Sequence, residues 1–382
     1  MPTPSATDGR NAYPLYSPRF WHGMRPATWW QLVGRHGGRV SLNRAPLLAS
    51  VSLITPVNTA GAITQAVVRR RAIAETDLAA PPVFIIGHWR SGTTMLHELM
   101  IRDQRLSSPT TFQCFAPHHF LVSEWFFRRF ARWLLPNKRP MDDMAAGWDR
   151  PQEDEFALMN LGLPSPYRRI AFPDDPRDED SDYLDFRGVE ESDRAAWAET
   201  LRTFLRHVTV ATGRPLVVKS PTHTGRVATL MKHFPGAKFI HLSRDPRSLY
   251  PSTIRLWESL DADQALREPL HDPGREERLR RYVLDCLTRM HAAYRRDRER
   301  LDASHLIEIR YEDLIADPVG TLETIYQRLH LGDFASVRGS LQSWVDTSHR
   351  TYTPNRHTLP SDTEAMLRDH WHDYFETYGY TD

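Results

Sequence analysis

Cysteine is nearly absent from this sequence: the 382 residues include two, Cys114 and Cys286. Two cysteines are too few for a disulfide framework, and these two lack the close spacing of cysteine metal ligands. A single Cys114–Cys286 bridge is the alternative. The N-terminal residues also lack the apolar core of a secretory signal. The sequence therefore predicts a cytoplasmic protein with reduced cysteines and no metal site.

The sequence has no excess of charge of either sign. Lys and Arg number 49, Asp and Glu number 48, and the formal net charge is +1. Because a chain that binds nucleic acid over much of its surface carries a large positive excess, nucleic acid is not an expected partner. Any basic site must be local. One acidic, proline-containing run, DDPRDEDSDYLD at residues 174–185, predicts a solvated loop.

Long uninterrupted apolar runs are also missing. The longest candidate, residues 45–68, is broken by Pro56, Asn58 and Gln65, which are costly within hydrocarbon. We interpret it as a buried or peripheral helix. The stretch WFFRRFARWLLP, residues 125–136, interleaves aromatic and arginine side chains as interfacial helices do. It predicts a peripheral membrane contact or, as the favoured interpretation, a helix that caps an apolar cleft.

Four short apolar runs are each flanked by turn residues and followed by helix-like sequence. They are PVFIIG (82–87), PLVVKS (215–220), AKFIHLS (237–243) and HLIEIRY (305–311). This alternation predicts an α/β fold with a doubly wound parallel sheet, whose ligand site lies at the carboxyl ends of the strands. We expect a single main domain at residues 81–382, with a helical N-terminal extension at 1–80 and an insertion around 107–200.

The loop after the first strand, GHWRSGTT at residues 87–94, has the glycine spacing of a phosphate-binding loop. Gly87, Gly92 and Thr94 match that loop in nucleotide hydrolases, but Thr93 stands in place of its lysine. Backbone N–H groups and the N-terminus of the next helix would still hold an anion. The pattern therefore predicts a P-loop-like anion site without the usual lysine.

The second and third strands end in basic residues, Lys219 and Arg244. An ATP hydrolase is expected to carry an acidic partner for Mg²⁺ at one of these positions. Two cations there indicate a ligand whose negative charges are neutralised by the protein alone.

Three segments resemble, in order and spacing, motifs of sulfotransferases that use 3′-phosphoadenosine 5′-phosphosulfate (PAPS). They are PPVFIIGHWRSGTTMLHELM (81–100), VVKSPTHTGRVATLMKHFPGAKFIHLSRDPRSLYPS (217–252) and IRYEDLIADP (309–318). The sequence is most similar to the broad bacterial family related to the protein-tyrosine sulfotransferases. The resemblance spans about residues 81–329, and the C-terminal residues 355–380 also look like that family. It implies the sulfotransferase fold, with PAPS as co-substrate.

The resemblance also implies roles for donor-site residues. The 5′-phosphosulfate would be held by Arg90, Ser91, Gly92, Thr93 and Thr94. The 3′-phosphate would lie between Arg244 and Ser252, which are eight residues apart, and Tyr311 would lie near the adenosine. An ordinary buried aromatic is the alternative for Tyr311.

Lys219 and Arg90 are the predicted catalytic cations. Sulfuryl transfer passes through a loose transition state with charge on the departing oxygen, so alignment and positive charge at that oxygen dominate catalysis. In the resembling family, the lysine that matches Lys219 lies close to the transferring group. We therefore expect both side chains to stabilise the leaving group.

The general base is the open position. In the tyrosylprotein relatives a glutamate follows the loop, but here SSPTTFQCFAPHHF, residues 107–120, contains no acid. Candidates are the acids of RPQEDEFAL, with Glu153 preferred over Asp154 and Glu155, and then His118 of a histidine pair. The alternatives are a helix N-terminus stabilised by the acids and a histidine pair that serves packing.

The expected activity is transfer of a sulfuryl group to a hydroxyl or amine of an unidentified small molecule, glycan or lipid. The competing hypotheses are a P-loop kinase or nucleotide hydrolase and a nucleotide-binding scaffold without turnover. Aromatic residues of the insertion predict either an apolar acceptor pocket or part of the core. They are Phe112, Phe115, Phe120, Trp125, Phe126, Phe127 and Trp133.

Overall fold

Four parallel strands form the centre of the molecule. The computed structural model describes residues 13–14, 16–135, 147–175, 180–269, 273–349 and 359–380. The strands are β1 (Val83–Ile86), β2 (Val217–Lys219), β3 (Lys238–Ser243) and β4 (Leu306–Arg310). Their spatial order is β2-β1-β3-β4, and every pairing is parallel. The predicted α/β fold with a parallel sheet is confirmed.

Apolar side chains cover both faces of the sheet. Phe84 and Phe239, which are paired across β1 and β3, belong to one core. Val83 and Ile85 belong to a second core on the other face, because successive side chains of a strand point in opposite directions. Burial on both faces explains why the strand sequences are continuously apolar.

Helices surround the sheet. In chain order they are α1 (Pro26–Arg35), α2 (Ala45–Val68), α3 (Arg70–Glu75), α4 (Thr93–Met100), α5 (Thr111–Phe115), α6 (Phe120–Phe130), α7 (Asp154–Asn160), α8 (Glu191–Thr212), α9 (Val227–His233), α10 (Pro246–Gln264), α11 (Pro273–Arg298), α12 (Tyr311–Ala316), α13 (Pro318–Arg328), α14 (Ala335–Trp344), α15 (Ser361–His370) and α16 (His372–Tyr378). Short 3₁₀-helices occur at Phe20–Gly23, Leu42–Arg44, Arg132–Leu134, Pro166–Ala171, Ser181–Leu184 and Pro221–Arg226, and a π-helical turn at Val345–His349.

Each strand leads to a helix at its carboxyl end. α4 follows β1, α9 follows β2, α10 follows β3, and α12 and α13 follow β4. At the start of α10 the Asp245 carboxylate accepts a hydrogen bond of 2.9 Å from the backbone N–H of Arg247. Asp245 is therefore the helix cap that its position before Pro246 predicts.

The N-terminal helices pack against the main core without forming a separate one. Trp21 and Trp29 are fully buried in the same core as Phe84. α2 contacts the 3₁₀-helix Phe20–Gly23 and α6, yet most of its surface is exposed. Within the described residues, Leu42–Val68 is the helical stretch that is long and apolar enough to cross a membrane, and 17% of that window is buried. Of the two alternatives for this segment, a buried or a peripheral helix, α2 is the peripheral one.

The acidic run at residues 174–185 is less solvated than predicted. Residues 176–179 lie outside the described part of the chain. The Asp174 carboxylate is buried against Arg278, at 3.3 Å, and the Asp185 carboxylate against Arg289, at 2.6 Å. Both arginines belong to α11, so ion pairs to a distant helix hold this segment against the protein.

The two cysteines are free and buried. Burial raises the pKa of the Cys114 thiol well above its usual value. The alternative of a Cys114–Cys286 bridge is therefore wrong.

Candidate functional site

The loop between β1 and α4 presents its backbone to a ligand. Gly87 and Gly92 have φ of +145° and +96°, and Arg90 also lies in the left-handed region with φ of +69°. The Ser91 hydroxyl donates to the carbonyl of His88, at 2.7 Å, which tightens the turn. Gly92 precedes α4 directly, so the positive end of the helix faces the loop.

Tyr311 explains why residue 92 must be glycine. A Cβ atom at position 92 would lie 2.3 Å from the ring of Tyr311. Tyr311 is buried and begins α12, immediately after β4. The residue that follows β4 therefore packs directly against the phosphate-type loop that follows β1.

A basic cluster connects that loop to α10. Arg90 Nε donates to the hydroxyl of Ser252, at 2.9 Å. Arg244 Nη1 donates to the carbonyl of Arg90, at 2.8 Å, and its guanidinium lies 4.5 Å from the centre of the Tyr311 ring. Arg244 and Ser252 are both buried. The structure thus brings four of the predicted donor-binding residues into contact with one another: Arg90, Arg244, Ser252 and Tyr311.

The C-terminal helices support this cluster. The backbone N–H of Arg244 donates to the Tyr374 hydroxyl of α16, at 3.0 Å. Tyr374 is buried, and burial raises its pKa well above the usual value. Tyr374 therefore stays neutral and helps to position Arg244, a role that the sequence alone did not indicate.

Arg255 is a further cation at this cluster. Its side chain is exposed, yet partial loss of solvent and then the nearby charges of Arg90 and Arg244 lower its pKa. A lone arginine on a helix surface is common, so Arg255 does not stand out in the sequence by residue type. The available signal was its spacing: it lies three residues after Ser252, on the same side of α10.

Lys219 lies at the other end of the loop. Its ammonium group donates to the Thr94 hydroxyl, at 3.3 Å, and to the Glu153 carboxylate, at 2.6 Å. The second oxygen of Glu153 accepts a hydrogen bond from the Tyr167 hydroxyl. Lys219 is almost fully buried, whereas 16% of the Glu153 side chain is exposed. A cation, a carboxylate and the start of α4 therefore meet at one point.

Tyr167 is held by an indole. Trp89 Nε1 donates to the Tyr167 hydroxyl, at 2.8 Å, and the ring of Trp257 lies 5.3 Å from that of Trp89. Burial, followed by the Glu153 charge, raises the pKa of Tyr167 well above its usual value. Tyr167 is thus a neutral donor beside Glu153, and no pattern in the sequence singled it out.

Three consecutive acids take three different basic partners. Glu153 pairs with Lys219, Asp154 with His223 at 2.8 Å, and Glu155 with Arg226 at 2.6 Å. The basic residues follow one another along β2 and the 3₁₀-helix Pro221–Arg226. We call these contacts the acid ladder.

Two pairs of the acid ladder, Asp154–His223 and Glu155–Arg226, are inaccessible to ligands. Asp154, His223, Glu155 and Arg226 are fully or almost fully buried. Glu155 also accepts hydrogen bonds from Ser165, at 2.6 Å, and from Thr222, at 2.8 Å. Burial raises the pKa of Glu155, but the charge and hydrogen bonds of Arg226 outweigh it, so this pKa lies below the usual value.

His118 lies apart from these contacts. Its Nε2 atom faces the carbonyl oxygen of Asn160, at 3.2 Å, and burial lowers its pKa to about 4. Its neighbour His119 bonds to Asn58 of α2, at 3.1 Å. The structure therefore gives the second candidate for the base a packing environment, without a described contact to Lys219 or to the loop.

The aromatic residues of the insertion divide into two groups. Phe112, Phe115 and Phe120 are buried in the main core. The side chains of Trp125, Phe126 and Trp133 are exposed by 68%, 47% and 65%. Pro136, the last residue of the predicted interfacial stretch, lies outside the described part of the chain.

The chain was compared with known families. The model of the sulfotransferase family matches residues 81–335, which contain the loop, the basic cluster and Lys219. This chain is a member of the sulfotransferase family.

Two mycobacterial sulfotransferases are its relatives by sequence. The ω-hydroxy-β-dihydromenaquinone-9 sulfotransferases Stf3 of Mycobacterium bovis and Mycobacterium tuberculosis are each 38% identical over 360 residues. The match covers 94% of this sulfotransferase and 91% of each relative. The likeness therefore extends beyond the family motifs to nearly the whole chain.

Solved structures show the same fold. Sulfotransferase STF9 from Mycobacterium avium has a TM-score of 0.64 at 18% identity, covering 93% of this chain and 96% of that one. Sulfotransferase STF1 from Mycobacterium tuberculosis has a TM-score of 0.59 at 16% identity, covering 90% of each chain. Within the described residues of this sulfotransferase, no group of three or more metal-ligating side chains occurs.

Proposed function

We propose that this sulfotransferase moves the sulfuryl group of PAPS to the hydroxyl of a polyisoprenoid quinone. The observation that carries the donor assignment is the basic cluster of Arg90, Arg244 and Arg255 beside Ser252. It lies at the end of the loop opposite to Lys219, which suits a nucleotide with separate negative groups at its two ends. The stacked Tyr311 and Arg244 supply a flat surface for an adenine.

Lys219 is proposed to stabilise the leaving oxygen. Its ammonium group lies beside Thr94 at the start of α4, where the helix dipole adds positive potential. Negative charge develops on the leaving oxygen during transfer, and a fixed cation stabilises that charge without reorganisation. PAPS supplies the activated sulfuryl group; the protein contributes alignment and charge.

Glu153 is proposed to accept the proton of the attacking hydroxyl. Of the three acids in the ladder it is the one with an exposed fraction, since Asp154 and Glu155 are buried with their own partners. Donation from Lys219 and Tyr167 fixes both of its oxygens, which orients the carboxylate for one incoming donor. His118 is the weaker candidate, because its Nε2 atom faces the carbonyl oxygen of Asn160 and has no described contact to Lys219 or to the loop.

The acceptor class rests on the relatives. Both are named for a hydroxylated menaquinone, and they match this chain over 94% of its length. Next to Glu153, the buried side chains of Trp89, Tyr167 and Trp257 pack on one another and support the carboxylate from the protein side.

Calorimetry with adenosine 3′,5′-bisphosphate tests the donor assignment. Arg244→Ala removes charge-assisted hydrogen bonds of about 1.5–3 kcal/mol, so affinity should fall about 10- to 100-fold. Ser252→Ala should weaken binding about 2- to 10-fold. Arg247→Gln is the matched control, because Arg247 bonds to Asp245 and to the carbonyl of Tyr380 instead. Preference for ATP with Mg²⁺, with no effect of Arg244→Ala, would favour a kinase or nucleotide hydrolase.

Transfer assays test the acceptor. Sulfur-labelled PAPS and detergent-solubilised ω-hydroxymenaquinone should give a labelled quinone, whereas menaquinone without the hydroxyl should give none. Transfer only to phenols or glycans would contradict the assignment of a quinone acceptor and would leave the assignment of PAPS as donor intact. Bisphosphate binding without transfer to any acceptor would favour a scaffold without turnover.

A further inference from the structure

The outer surface of α2 is apolar although it faces solvent. Leu53, Val57, Ile63 and Val67 are exposed by 76%, 57%, 64% and 71%. They project from one broad side of the helix, together with exposed alanines and Ile54 and Val68. Within the described residues, every strongly exposed large apolar side chain lies between Tyr16 and Trp133. Because α2 packs on α6, the exposed apolar residues of these two helices lie on neighbouring elements.

The buried polar residues of α2, Thr55, Asn58 and Gln65, face the protein. The Asn58 side-chain amide donates to the carbonyl oxygens of His22 and Met24, both at 2.7 Å, and its oxygen contacts His119. Gln65 accepts from the backbone N–H of Leu121, at 2.9 Å. A helix at the surface of a protein in water has the opposite arrangement, with apolar residues inside. The helix is thus fixed to the protein by its polar side and offers its apolar side outward.

An aromatic and basic rim borders this surface. α6, which packs on α2, and the following 3₁₀-helix expose Trp125, Phe126, Phe130 and Trp133. Exposed arginines alternate with them at 128, 129 and 132. Tryptophan and arginine are favoured at the boundary between lipid headgroups and acyl chains.

Local charge agrees with an anionic partner. The whole chain is nearly neutral, yet no acidic residue occurs between Asp8 and Glu75, a segment with nine arginines. Arg69, Arg70 and Arg71 stand at the end of α2, and all three are exposed. Two copies of such a surface would place like charges opposite each other, whereas anionic headgroups would neutralise them.

We propose that the outer side of α2 and the exposed side of α6 dock this protein on the surface of an anionic bilayer. α2 lies in the plane of the interface and does not cross the bilayer, because Asn58 and Gln65 hold its polar side against the protein. We call the docking surface, formed by residues 53–68 and 125–133, the bilayer face. The surface is inferred from exposure and charge alone, so it does not depend on which acceptor is sulfated.

Vesicle flotation tests the proposal. The full chain should bind vesicles of phosphatidylcholine with 30% phosphatidylglycerol at least tenfold better than vesicles of phosphatidylcholine alone. The triple variant L53Q/V57Q/I63Q should lose binding to both by at least tenfold. The variant R128Q/R129Q/R132Q should lose the preference for phosphatidylglycerol, since each arginine near the surface favours anionic lipid. R280Q/R281Q/R295Q, on exposed positions of α11, removes the same charge elsewhere and should bind as the wild type.

A label on the helix separates docking from other uses of this surface. Both native cysteines are buried, so Val57→Cys can be labelled selectively with an environment-sensitive fluorophore. Its emission should rise with anionic vesicles, and the same label at Arg281→Cys should not respond. Binding of L53Q/V57Q/I63Q at the wild-type level would overturn the proposal. Dimerisation that this variant abolishes, without vesicle binding by the wild type, would instead assign the surface to a second copy.

Two readouts keep this proposal apart from the quinone assignment. Adenosine bisphosphate binding by L53Q/V57Q/I63Q should equal that of the wild type, which shows that the variant folds. Vesicle binding without sulfation of detergent-solubilised quinone would contradict the acceptor and leave the bilayer face intact. Resistance to extraction from membranes at alkaline pH would contradict the in-plane orientation and favour a spanning helix.

Discussion

The two ends of the acid ladder contain the same chemistry and serve different purposes. Glu155 and Arg226 are both fully buried, and Ser165 and Thr222 occupy the remaining acceptor sites of the carboxylate. The Glu153–Lys219 pair adjoins the phosphate-type loop, and the Glu153 side chain has an exposed fraction although Lys219 is almost fully buried. A carboxylate–cation pair is therefore structural where every partner is internal, and suited to catalysis where one direction stays open to a ligand.

The comparison is tested most strongly by Glu153→Gln. Loss of a general base should lower kcat about 10²- to 10⁴-fold, while glutamine keeps an oxygen for Lys219 or Tyr167. The rate of sulfuryl transfer from labelled PAPS measures the effect. Bisphosphate affinity should stay close to the wild type, whereas the denaturation midpoint should fall, because the almost fully buried Lys219 loses its carboxylate. A rate within tenfold of the wild type would assign the base elsewhere, and His118→Gln would then be the next variant.

Disruption of the buried Glu155–Arg226 pair should lower the free energy of unfolding. Arg226→Met leaves the Glu155 carboxylate buried without its cation, which should cost about 3–5 kcal/mol of unfolding free energy. Adding Glu155→Gln to that variant should recover much of the loss, because no uncompensated charge remains. Urea denaturation measures both variants. If Arg226→Met lowered kcat per folded molecule as much as Glu153→Gln does, the distinction between a structural Glu155–Arg226 pair and a catalytic Glu153–Lys219 pair would be wrong.

The smallest expected effect is a difference between the wild type and Glu155→Gln in how their stability depends on pH in acid. The pKa of Glu155 is lowered in the folded state, so its contribution to stability is present above its unfolded pKa of about 4.5 and is lost as pH falls through the folded pKa. The stability of the wild type should therefore decline below about pH 4.5 more steeply than that of Glu155→Gln. Urea denaturation between pH 7 and 3.5 gives both slopes. If the unfolding free energies of the two proteins declined equally with falling pH, other carboxylates would be responsible for the loss of stability in acid.

The sheet and the loop could be predicted because their signals are local. Each strand is a short apolar run between turn residues, and GHWRSGTT carries its glycine spacing within eight residues. The distance between Arg244 and Ser252 also lies within one strand–helix junction. These features do not require knowledge of which distant segments touch.

The roles of the three acids could not be predicted, because they depend on tertiary pairing. QEDE is typical of the start of a helix, and although the sequence analysis prefers Glu153, no local signal shows how the environments of Glu153 and Glu155 differ. The difference comes from Lys219 and Arg226, which lie far along the chain and face different acids. The assignments of donor-binding and catalytic roles remain predictions, as does the cytoplasmic location.

Surface placement was the other limit of sequence reasoning. The composition of α2 predicts a buried or peripheral helix, and the structure adds that three of its four buried residues are polar. Asp174 and Asp185 were expected in solvent and are paired with arginines of α11. In both cases the composition predicts the environment that such a segment has on average. Its environment in this protein depends on contacts with residues that are distant in the sequence.

The contact between Gly92 and Tyr311 couples ligand binding to completion of the fold. Residue 92 follows the first strand and residue 311 follows the last, so the loop reaches its final shape only once β4 has joined the sheet. An unfolded or three-stranded chain would hold no donor nucleotide, and by mass action the nucleotide should then stabilise the entire protein. Saturating bisphosphate would thus protect even the amides of β4 from hydrogen exchange.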